Sequence, residues 1–406
     1  MNINRPFNFI IVNQKAENSI RRGHPWVYKE EVISLSESFV NGQIVDVISQ
    51  KGKYLGSGFI NDNSKILVRI VSRNANDRFD DAFWARRIDY AISYRETVLS
   101  REEMSSCRLI FGDSDGFPGF IVDKFENVLS IQVLSLGIEL IKMKLVDLLL
   151  STLNNRGFII DTVYERSDAA VRKKEGLDLT KGYLFAQNKP DGHVIITENK
   201  IKYDVDYVNG QKTGFFLDQK HNRRAAAVLA KDKTVLDCFT HTGAFALNIA
   251  AAGAKRVTAV DISQDAIIQA ERNAELNGLT NVDFVCENVF DLLTKTLESG
   301  KKPYDYIILD PPAFTKSNAT VSAAYKGYKD INLRAMRLLP KGGYLATCSC
   351  SHFMNSKLFS KMLDDAAADA GVTLKQIESR LQCADHPIIR SIPETEYLKF
   401  YILQII

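Results

Sequence analysis

The feature that most constrains the fold is the alternation of short apolar runs with amphipathic segments from about residue 200 onward. The runs "TVLDCF", "RVTAVDIS", "YDYIILD" and "YLATCSCS" are typical of buried strands. Between them, "AFALNIAAAG", "QDAIIQAERNAELNG" and "INLRAMRLLPKGG" have helical apolar spacing and end on glycine. Because parallel strands need a helical crossover, this order predicts an α/β fold with a doubly wound parallel sheet.

The front of the chain has a different pattern. Short strand signals such as "NFIIV", "GQIVDVIS" and "ILVRIVS" lie close together before residue 73, which indicates a small β-barrel. From about 80 to 190, two helical segments flank a strand hairpin and predict a compact α+β piece. We therefore predict three domains, over residues 1–75, 76–195 and 196–406.

Composition excludes several classes of protein. The 406 residues are 45% hydrophobic and 25% charged, as in ordinary globular proteins, and no apolar run approaches the ~20 residues that cross a bilayer. The first ten residues do not resemble a secretory signal, so we expect a cytoplasmic protein without a membrane partner. The six cysteines form no C-x-x-C pairs, and neither disulfides nor a metal site are expected.

Basic charge is concentrated at the front. Residues 1–75 carry 10 Lys and Arg against 6 Asp and Glu. The stretch "RRGHPWVYKEEV" interleaves cations with aromatic rings, including Arg21, Arg22 and Trp26, and such residues bind phosphate and stack on bases. Packing of Trp26 in the core is an equal alternative at this stage.

A nucleotide site is predicted where the strands of the α/β sheet end, because ligands bind beyond the carboxyl ends of parallel strands. "DCFTHTGAF" places Asp237 at a strand end and Gly243 at a helix start; Asp261 follows 18 residues later, and Asn288 follows the next strand. The turn lacks the G-x-G-x-x-G repeat that a dinucleotide requires. S-adenosylmethionine carries no phosphate, and its cationic amino end suits Asp237, so it is the expected cofactor.

The segment "YDYIILDPPAF" marks a reacting site. Asp310 ends the strand, and Pro311 begins a stiff loop that offers carbonyl groups to a ligand. Methylases of the adenine amino group use a similar Asp/Asn-Pro-Pro followed directly by an aromatic ring. Here Ala313 precedes the aromatic Phe314. This departure disfavours methylation of a base amino group.

The stretch "ATCSCSHFM" supplies a candidate nucleophile. Alternation along the strand places Cys348 and Cys350 on one face, with Cys350 nearer the edge where Asp310 emerges. Carbon 5 of a pyrimidine becomes nucleophilic when a thiolate adds to carbon 6, and Cys350 is the candidate for that addition. Asp310 would protonate or hydrogen-bond ring N3 of cytosine. We expect Cys348 to pack inward.

Taken together, these motifs resemble the bacterial 5-methylcytosine methyltransferases of 23S ribosomal RNA. "RRGHPWVY", "DGFPGFIVDKF", "NGQKTGFFLDQKHNR", "DCFTHTGAF", "DPPAF", "GYKDIN" and "SCS" follow in the family's order and cover essentially the whole chain. The resemblance implies an N-terminal PUA domain, a central α+β domain and a Rossmann-like class I methyltransferase domain. It also implies ribosomal RNA processing and a homodimer.

The resemblance implies roles for individual residues. It makes Cys350 the nucleophile beside Asp310 and leaves His386 structural. RNA contacts are expected from Lys326 and Lys329, which a solvated helix would explain equally well. The remaining implied residues line the S-adenosylmethionine pocket: Asp237, Gly243, Asp261, Asn288, Phe216 and Gln219. RNA contacts predicted from the motifs are Arg21, Arg22, Trp26, Pro311 and Phe314.

Two other functions compete with methylation of cytosine carbon 5. One is S-adenosylmethionine-dependent methylation of a guanine or adenine amino group in RNA, for which Cys350 would be a bystander. The other is a non-catalytic RNA-binding or assembly factor that has kept the fold. For a cytosine, carbon 6 must be accessible, so the predicted target is an unstacked or single-stranded nucleotide.

Overall fold

A computed structural model describes residues 5–36, 38–188, 190–315 and 317–406. The chain divides into two compact units. The first contains residues 1–196, 205–217 and 384–395, and the second contains residues 197–204, 218–383 and 396–406. Residues 1–4 of the predicted first domain lie outside the described residues. Among the described residues, no helix is both long enough and apolar enough to span a bilayer.

The first unit begins with a mixed six-stranded sheet in the order β2-β6-β5-β4-β1-β3. The β1 and β4 strands are parallel, and the other neighbours are antiparallel. Its apolar side chains, among them Val12, Val47 and Val68, form one buried cluster with helix α1. The elements are β1 Phe9–Val12, α1 Gln14–Arg21, β2 Trp26–Tyr28, β3 Val32–Leu35, β4 Ile44–Ser49, β5 Tyr54–Ile60 and β6 Ile66–Ser72.

A five-stranded sheet with two long helices follows in the same unit. Its order is β11-β10-β9-β8-β7, and only the β9–β10 pair is parallel. The predicted helices and hairpin are present. The elements are α2 Asp81–Val98, β7 Ser106–Phe111, β8 Phe120–Phe125, β9 Val128–Val133, α3 Leu136–Asn155, β10 Thr162–Ser167 and β11 Thr180–Ala186.

The second unit is built on a seven-stranded sheet in the order β16-β15-β14-β17-β18-β20-β19. A two-stranded hairpin, β12 His193–Glu198 and β13 Ile201–Asp206, precedes it in the chain. The strands of the sheet are β14 Thr234–Cys238, β15 Arg256–Asp261, β16 Val282–Cys286, β17 Tyr306–Leu309, β18 Tyr344–Ser349, β19 Leu374–Arg380 and β20 Lys399–Ile405. The helices are α4 Lys220–Ala227, α5 Ala244–Ala251, α6 Gln264–Leu276, α7 Val289–Glu298, α8 Val321–Leu338 and α9 Ser356–Ala370.

The central strands of this sheet are apolar throughout because helices cover both faces. Two separate clusters of buried side chains contact the sheet, one containing Leu236, Ile307 and Leu345 and the other Val235 and Ile308. Neighbouring residues of one strand thus face opposite cores. This arrangement confirms the predicted α/β class.

The sheet differs from the prediction at one edge. Strands β14 to β18 are parallel as expected, but β20 runs antiparallel to both β18 and β19. The β19–β20 connection therefore needs no helical crossover. Residues 384–395 lie in this connection and cluster with the first unit.

Candidate active site

Five parallel strands bring the predicted site residues to one edge of the second unit's sheet. In the register of the sheet, Cys238 of β14 lies opposite Val260 of β15 and Leu309 of β17. Their carboxyl ends are therefore level, and the residues that follow them emerge side by side. This is the edge at which α/β folds bind ligands.

The turn after β14 is wound tightly. Phe239 and His241 have φ angles of 64° and 51°, values in the left-handed region that cost non-glycine residues roughly 1–2 kcal/mol each. Gly243 has φ 83° and begins α5, and a Cβ there would lie 3.1 Å from the Cβ of Ala270 on α6. Glycine therefore meets both a backbone and a packing requirement at this position. Strained turns of this kind cluster at ligand sites.

Asp237 is buried beneath this turn with half of its hydrogen-bonding capacity used. Its Oδ2 accepts hydrogen bonds from Thr240 Oγ1 at 2.6 Å and from the Ala246 backbone N–H at 3.0 Å. Its Oδ1 has no hydrogen-bond partner among the described residues. Burial raises the pKa of Asp237 to about 7, assisted by the charge of Asp310 and opposed by the Thr240 hydroxyl. A ligand with a cationic N–H group would satisfy the remaining oxygen.

Asp261 is the last residue of β15, and Asn288 lies two residues beyond the end of β16. The Asp261 carboxylate accepts from the backbone N–H groups of His241 and Ser263, at 2.9 and 3.0 Å. Each oxygen keeps a second acceptor site, so ligand hydroxyls can still bind. Asn288 caps α7, its Oδ1 accepting from the Phe290 N–H at 2.9 Å. The two side chains thus support the loops around the site as well as bordering it.

Asp310 has a buried polar partner that the sequence did not reveal. Gln219 Nε2 donates to Asp310 Oδ1 at 3.1 Å, and Gln219 Oε1 accepts from Asn222 Nδ2 at 2.7 Å. Burial raises the pKa of Asp310 to about 6; the charge of Asp218 adds to the rise, and that of Arg223 opposes it. A carboxyl with this pKa can donate or accept a proton near neutral pH.

The two cysteines have different surroundings. Cys348 is fully buried in a core cluster, and burial raises the pKa of its thiol well above the ordinary value. The expectation that Cys348 packs inward is confirmed. Cys350 follows the last residue of β18, is only partly buried, and has its Sγ 3.9 Å from the carbonyl oxygen of Pro311. The accessible thiol therefore lies against the loop that begins at Asp310.

Lys399 is a further residue of this edge, missed by sequence reasoning. It lies opposite Ser349 in the β18–β20 pairing and is 2% exposed. Its Nζ donates to the carbonyl oxygens of Ser351 at 2.6 Å and Tyr397 at 2.8 Å. A lone lysine in the apolar run "YLKFYILQII" was the available signal.

The expected RNA-contacting residues of this unit have varied surroundings. Pro311 is buried, and the partly buried ring of Phe314 lies 4.5 Å from that of Tyr328. Lys326 is exposed on α8, whereas Lys329 pairs with Asp369 at 2.7 Å. Of these side chains, Lys326 is the one most open to a phosphate group.

The remaining predicted residues belong to the first unit. Arg21 pairs with Glu17 at 2.8 Å, and Arg22 is exposed. Trp26 is half-buried, and its Nε1 donates to Asp113 Oδ1 at 3.2 Å. Phe216 lies beneath the ammonium of Lys212, 4.7 Å from the ring centre.

Two family models match separate segments of the chain. Residues 10–73 match the model of a PUA-like domain, and residues 183–391 match that of an S-adenosylmethionine-dependent methyltransferase. A protein from Streptococcus mutans described as a SAM-dependent methyltransferase superposes with a TM-score of 0.81 at 21% identity, over 98% of this chain and 99% of that one. A structure described as a methyltransferase in complex with SAH gives a TM-score of 0.83 at 22% identity, over the same shares. These likenesses support the fold.

Closer relatives match along nearly the whole chain. The ribosomal RNA large subunit methyltransferase I of Klebsiella pneumoniae (strain 342) is 39% identical over 98% of each chain. That of Pseudoalteromonas translucida (strain TAC 125) is 41% identical over 96% of this chain and 97% of its own. The protein is thus an S-adenosylmethionine-dependent methyltransferase, and it belongs to the ribosomal RNA large subunit methyltransferase I family.

Proposed function

We propose that this protein methylates carbon 5 of a cytosine in ribosomal RNA of the large subunit, through a covalent bond between Cys350 and carbon 6. The relatives are named as methyltransferases of large-subunit ribosomal RNA, which supports ribosomal RNA as the substrate. The observation that carries the chemistry is the position of Cys350: a partly accessible thiol 3.9 Å from the Pro311 carbonyl, on the loop that Asp310 begins. Cys348, buried two residues away, lacks that access.

The residues around the β14 turn fit S-adenosylmethionine, which supplies an electrophilic methyl group when bound. The unpaired Oδ1 of Asp237 would accept from its amino group, and Gly243 would allow close approach of the backbone. Asp261 would accept the ribose hydroxyls, with Asn288 at the adenine edge. Gln219 would complete the proposed pocket at the methionine end.

The protein's own groups can perform the addition and its reversal. The Cys350 thiolate forms the Sγ–C6 bond, and the electron pair of the C5–C6 double bond moves into the ring, where Asp310 donates a proton or hydrogen bond at N3. Carbon 5 then has enamine character and would attack the methyl carbon of bound S-adenosylmethionine, whose sulfur would keep the electron pair of the broken C–S bond. A general base, either a water molecule or a side chain, takes the C5 proton, and the electron pair of that C–H bond re-forms the C5–C6 double bond. The Sγ–C6 bond breaks at the same time, so that the thiolate leaves, and N3 returns its proton to Asp310.

The substrate must present an unstacked cytosine, because a base within a duplex cannot expose carbon 6 to a thiol. Arg21, Arg22 and Trp26 are proposed to hold the RNA at the first unit. Lys326 and Lys329, with Pro311 and Phe314, would contact RNA near the reacting base.

Protein-free ribosomal RNA should therefore be a better substrate than assembled subunits. Methyl incorporation into the two forms measures this, and equal or greater incorporation into finished subunits would contradict it. We also propose that the protein is a homodimer, as the resemblance implies. Light scattering at enzyme concentrations that give full activity would measure its mass, and the mass of a single chain would contradict this proposal.

RNA containing 5-fluorocytidine tests the covalent mechanism. The fluorine blocks the elimination step, so the unaltered protein should form an adduct that survives denaturing electrophoresis in the presence of S-adenosylmethionine. Cys350→Ala should form none and should lose methylation, whereas the matched variant Cys348→Ala should retain both. Continued methylation by Cys350→Ala would refute the mechanism and favour methylation of an amino group. Bisulfite sequencing of ribosomal RNA from a strain lacking the protein would locate the target.

A further inference from the structure

The side chain of Lys399 is unusual because it is charged and buried, and no carboxylate of the described residues lies within ion-pair distance of it. Its ammonium is almost wholly buried, and its hydrogen bonds end on the carbonyl oxygens of Ser351 and Tyr397. Carbonyl groups satisfy the N–H donors but do not neutralise the charge. A buried ammonium without a counter-charge is costly, so its retention in an otherwise apolar strand needs a physical reason.

The chain path places this ammonium beside the candidate nucleophile. The β18–β20 register pairs Ser349 with Lys399, and the Lys399 side chain reaches forward to the carbonyl of Ser351. Cys350 lies between these two serines. Lys399 therefore pairs through its backbone with the residue before Cys350 and binds through its ammonium the residue after it.

The other titratable groups near Cys350 do not replace this charge. Burial lowers the pKa of Lys399 to about 8, and the negative charges of Cys350 and Glu396 oppose that change. Tyr328 of α8 donates to or accepts from Ser351 Oγ at 2.9 Å, and its pKa is raised chiefly by burial. The titratable groups that surround Cys350 are Lys399 on β20, Tyr328 on α8, Cys348 on β18, Asp310 after β17, and His352 and Glu396 in the flanking loops.

We propose that Lys399 is a positioning residue whose buried ammonium holds Cys350 as a thiolate ready to add to carbon 6. This inference deepens the proposed function, since it concerns the nucleophile of the same site. The ammonium also favours the last step, because the charge that disappears when the Sγ–C6 bond forms is restored when that bond breaks. Lys399 needs no contact with the RNA for this role.

The thiol can be examined without RNA or cofactor. The probe is iodoacetamide at pH 6 to 10, with alkylation of each cysteine followed by peptide mass spectrometry. Cys286 is exposed at the end of β16 and serves as an internal reference. The variants are Lys399→Met, which removes the charge, and Lys399→Gln, which removes the charge but keeps a hydrogen-bond donor. The control is Lys375→Met, at an exposed position of β19.

In the unaltered protein, the rate of Cys350 alkylation should reach half of its maximum at a pH below ~8.5, which is the pKa of a free thiol. Both Lys399 variants should raise that midpoint by about one unit or more, the effect of losing a nearby opposite charge. The rate at pH 7 should fall by roughly 3-fold or more, because the loss of thiolate is partly offset by its greater intrinsic nucleophilicity. The difference should shrink above pH 8, where Lys399 itself is neutral. Cys286 and the Lys375 variant should not change.

Two results would overturn the inference. One is a midpoint at or above 8.5 in the unaltered protein, which needs no variant and so stands even if the Lys399 variants fail to fold. The other is unaltered alkylation in Lys399→Gln, which would make Lys399 a structural hydrogen-bond donor. The 5-fluorocytidine adduct is scored separately. If the midpoint of Cys350 alkylation is below pH 8.5 but no adduct with 5-fluorocytidine RNA forms, the inference about the thiolate is supported and the proposed function is contradicted.

Discussion

Replacing Asp237 by asparagine should stabilise the protein without ligand at pH 8 and weaken binding of S-adenosylmethionine. Asp237 is 1% exposed, and one of its oxygens has no hydrogen-bond partner among the described residues. Burial raises its pKa to about 7, with further increases from the charges of Asp310 and Asp261. The carboxylate is therefore unfavourable in the folded protein until a cation binds it.

The magnitude follows from the two pKa values. The folded value of about 7 lies above the ordinary 3.8, so the folded state holds its proton over a pH range in which the unfolded state has lost it. The stabilising contribution is complete below about pH 4 and is lost as the pH rises through 7. At 1.36 kcal/mol per pH unit, roughly 2 to 3 kcal/mol of this loss falls between pH 5 and pH 8. Asparagine does not titrate and avoids that loss.

Urea unfolding at pH 5 and pH 8 measures the effect. The free energy of unfolding of Asp237→Asn, relative to the unaltered protein, should increase by roughly 2 to 3 kcal/mol between the two pH values. Affinity for S-adenosylmethionine, measured by titration calorimetry, should fall roughly 10- to 100-fold with the lost charge-assisted hydrogen bond. Asp364→Asn, at an exposed position of α9, is the control. Parallel changes in the stability of the unaltered protein and Asp237→Asn between pH 5 and pH 8 would refute the reasoning.

Three further substitutions test the surroundings of the site. Gly243→Ala should lower the free energy of unfolding by about 1–3 kcal/mol, because it combines φ 83° with a close Cβ contact; Gly278→Ala, at φ 64° with open space, should show the smaller backbone cost alone. Arg223→Met should cost about 3–5 kcal/mol in urea unfolding, since it leaves the Glu198 carboxylate, 2.7 Å away, buried without its partner; adding Glu198→Met should recover much of that loss. Cys348→Ala should cost about 1–3 kcal/mol from the cavity that it leaves and yet keep methylation within a few-fold. Loss of activity in a folded protein would show that the reaction depends on the hydrogen bond between Cys348 and Asp310.

The fold class could be predicted because the central strands of the second unit and the helices between them have local signals. The runs ending at Asp237, Asp261 and Asp310 have the length and apolar composition of buried parallel strands, and the helices between them have 3.6-residue spacing. The order of the strands has no such signal, since it depends on pairings between distant residues. The antiparallel β20 was missed for the same reason: its apolar run resembles the parallel strands until its partners are known.

The candidate site divides in the same way. Residues at strand ends, such as Asp237, Gly243 and Cys350, could be proposed from position and chemical type alone. The bond from Gln219 to Asp310 joins residues 91 positions apart, and that from Lys399 to Ser351 joins residues 48 apart. Neither contact leaves a periodic pattern in the sequence. The contacts of the candidate reacting groups were therefore hidden, while the candidate groups themselves were not.

These hidden contacts would allow one sheet edge to hold both the proposed methyl donor and the proposed acid–thiol pair. The buried carboxyl of Asp237, the half-buried carboxyl of Asp310 and the buried ammonium of Lys399 are each costly to ionise, and their pKa values accordingly move toward neutrality. A core selected only for stability would replace such groups with apolar side chains. The surrounding sheet, with its two apolar cores, supplies the stability that offsets them. The concentration of shifted ionisable groups where the parallel strands end is thus physical evidence for a reaction centre, independent of any resemblance between sequences.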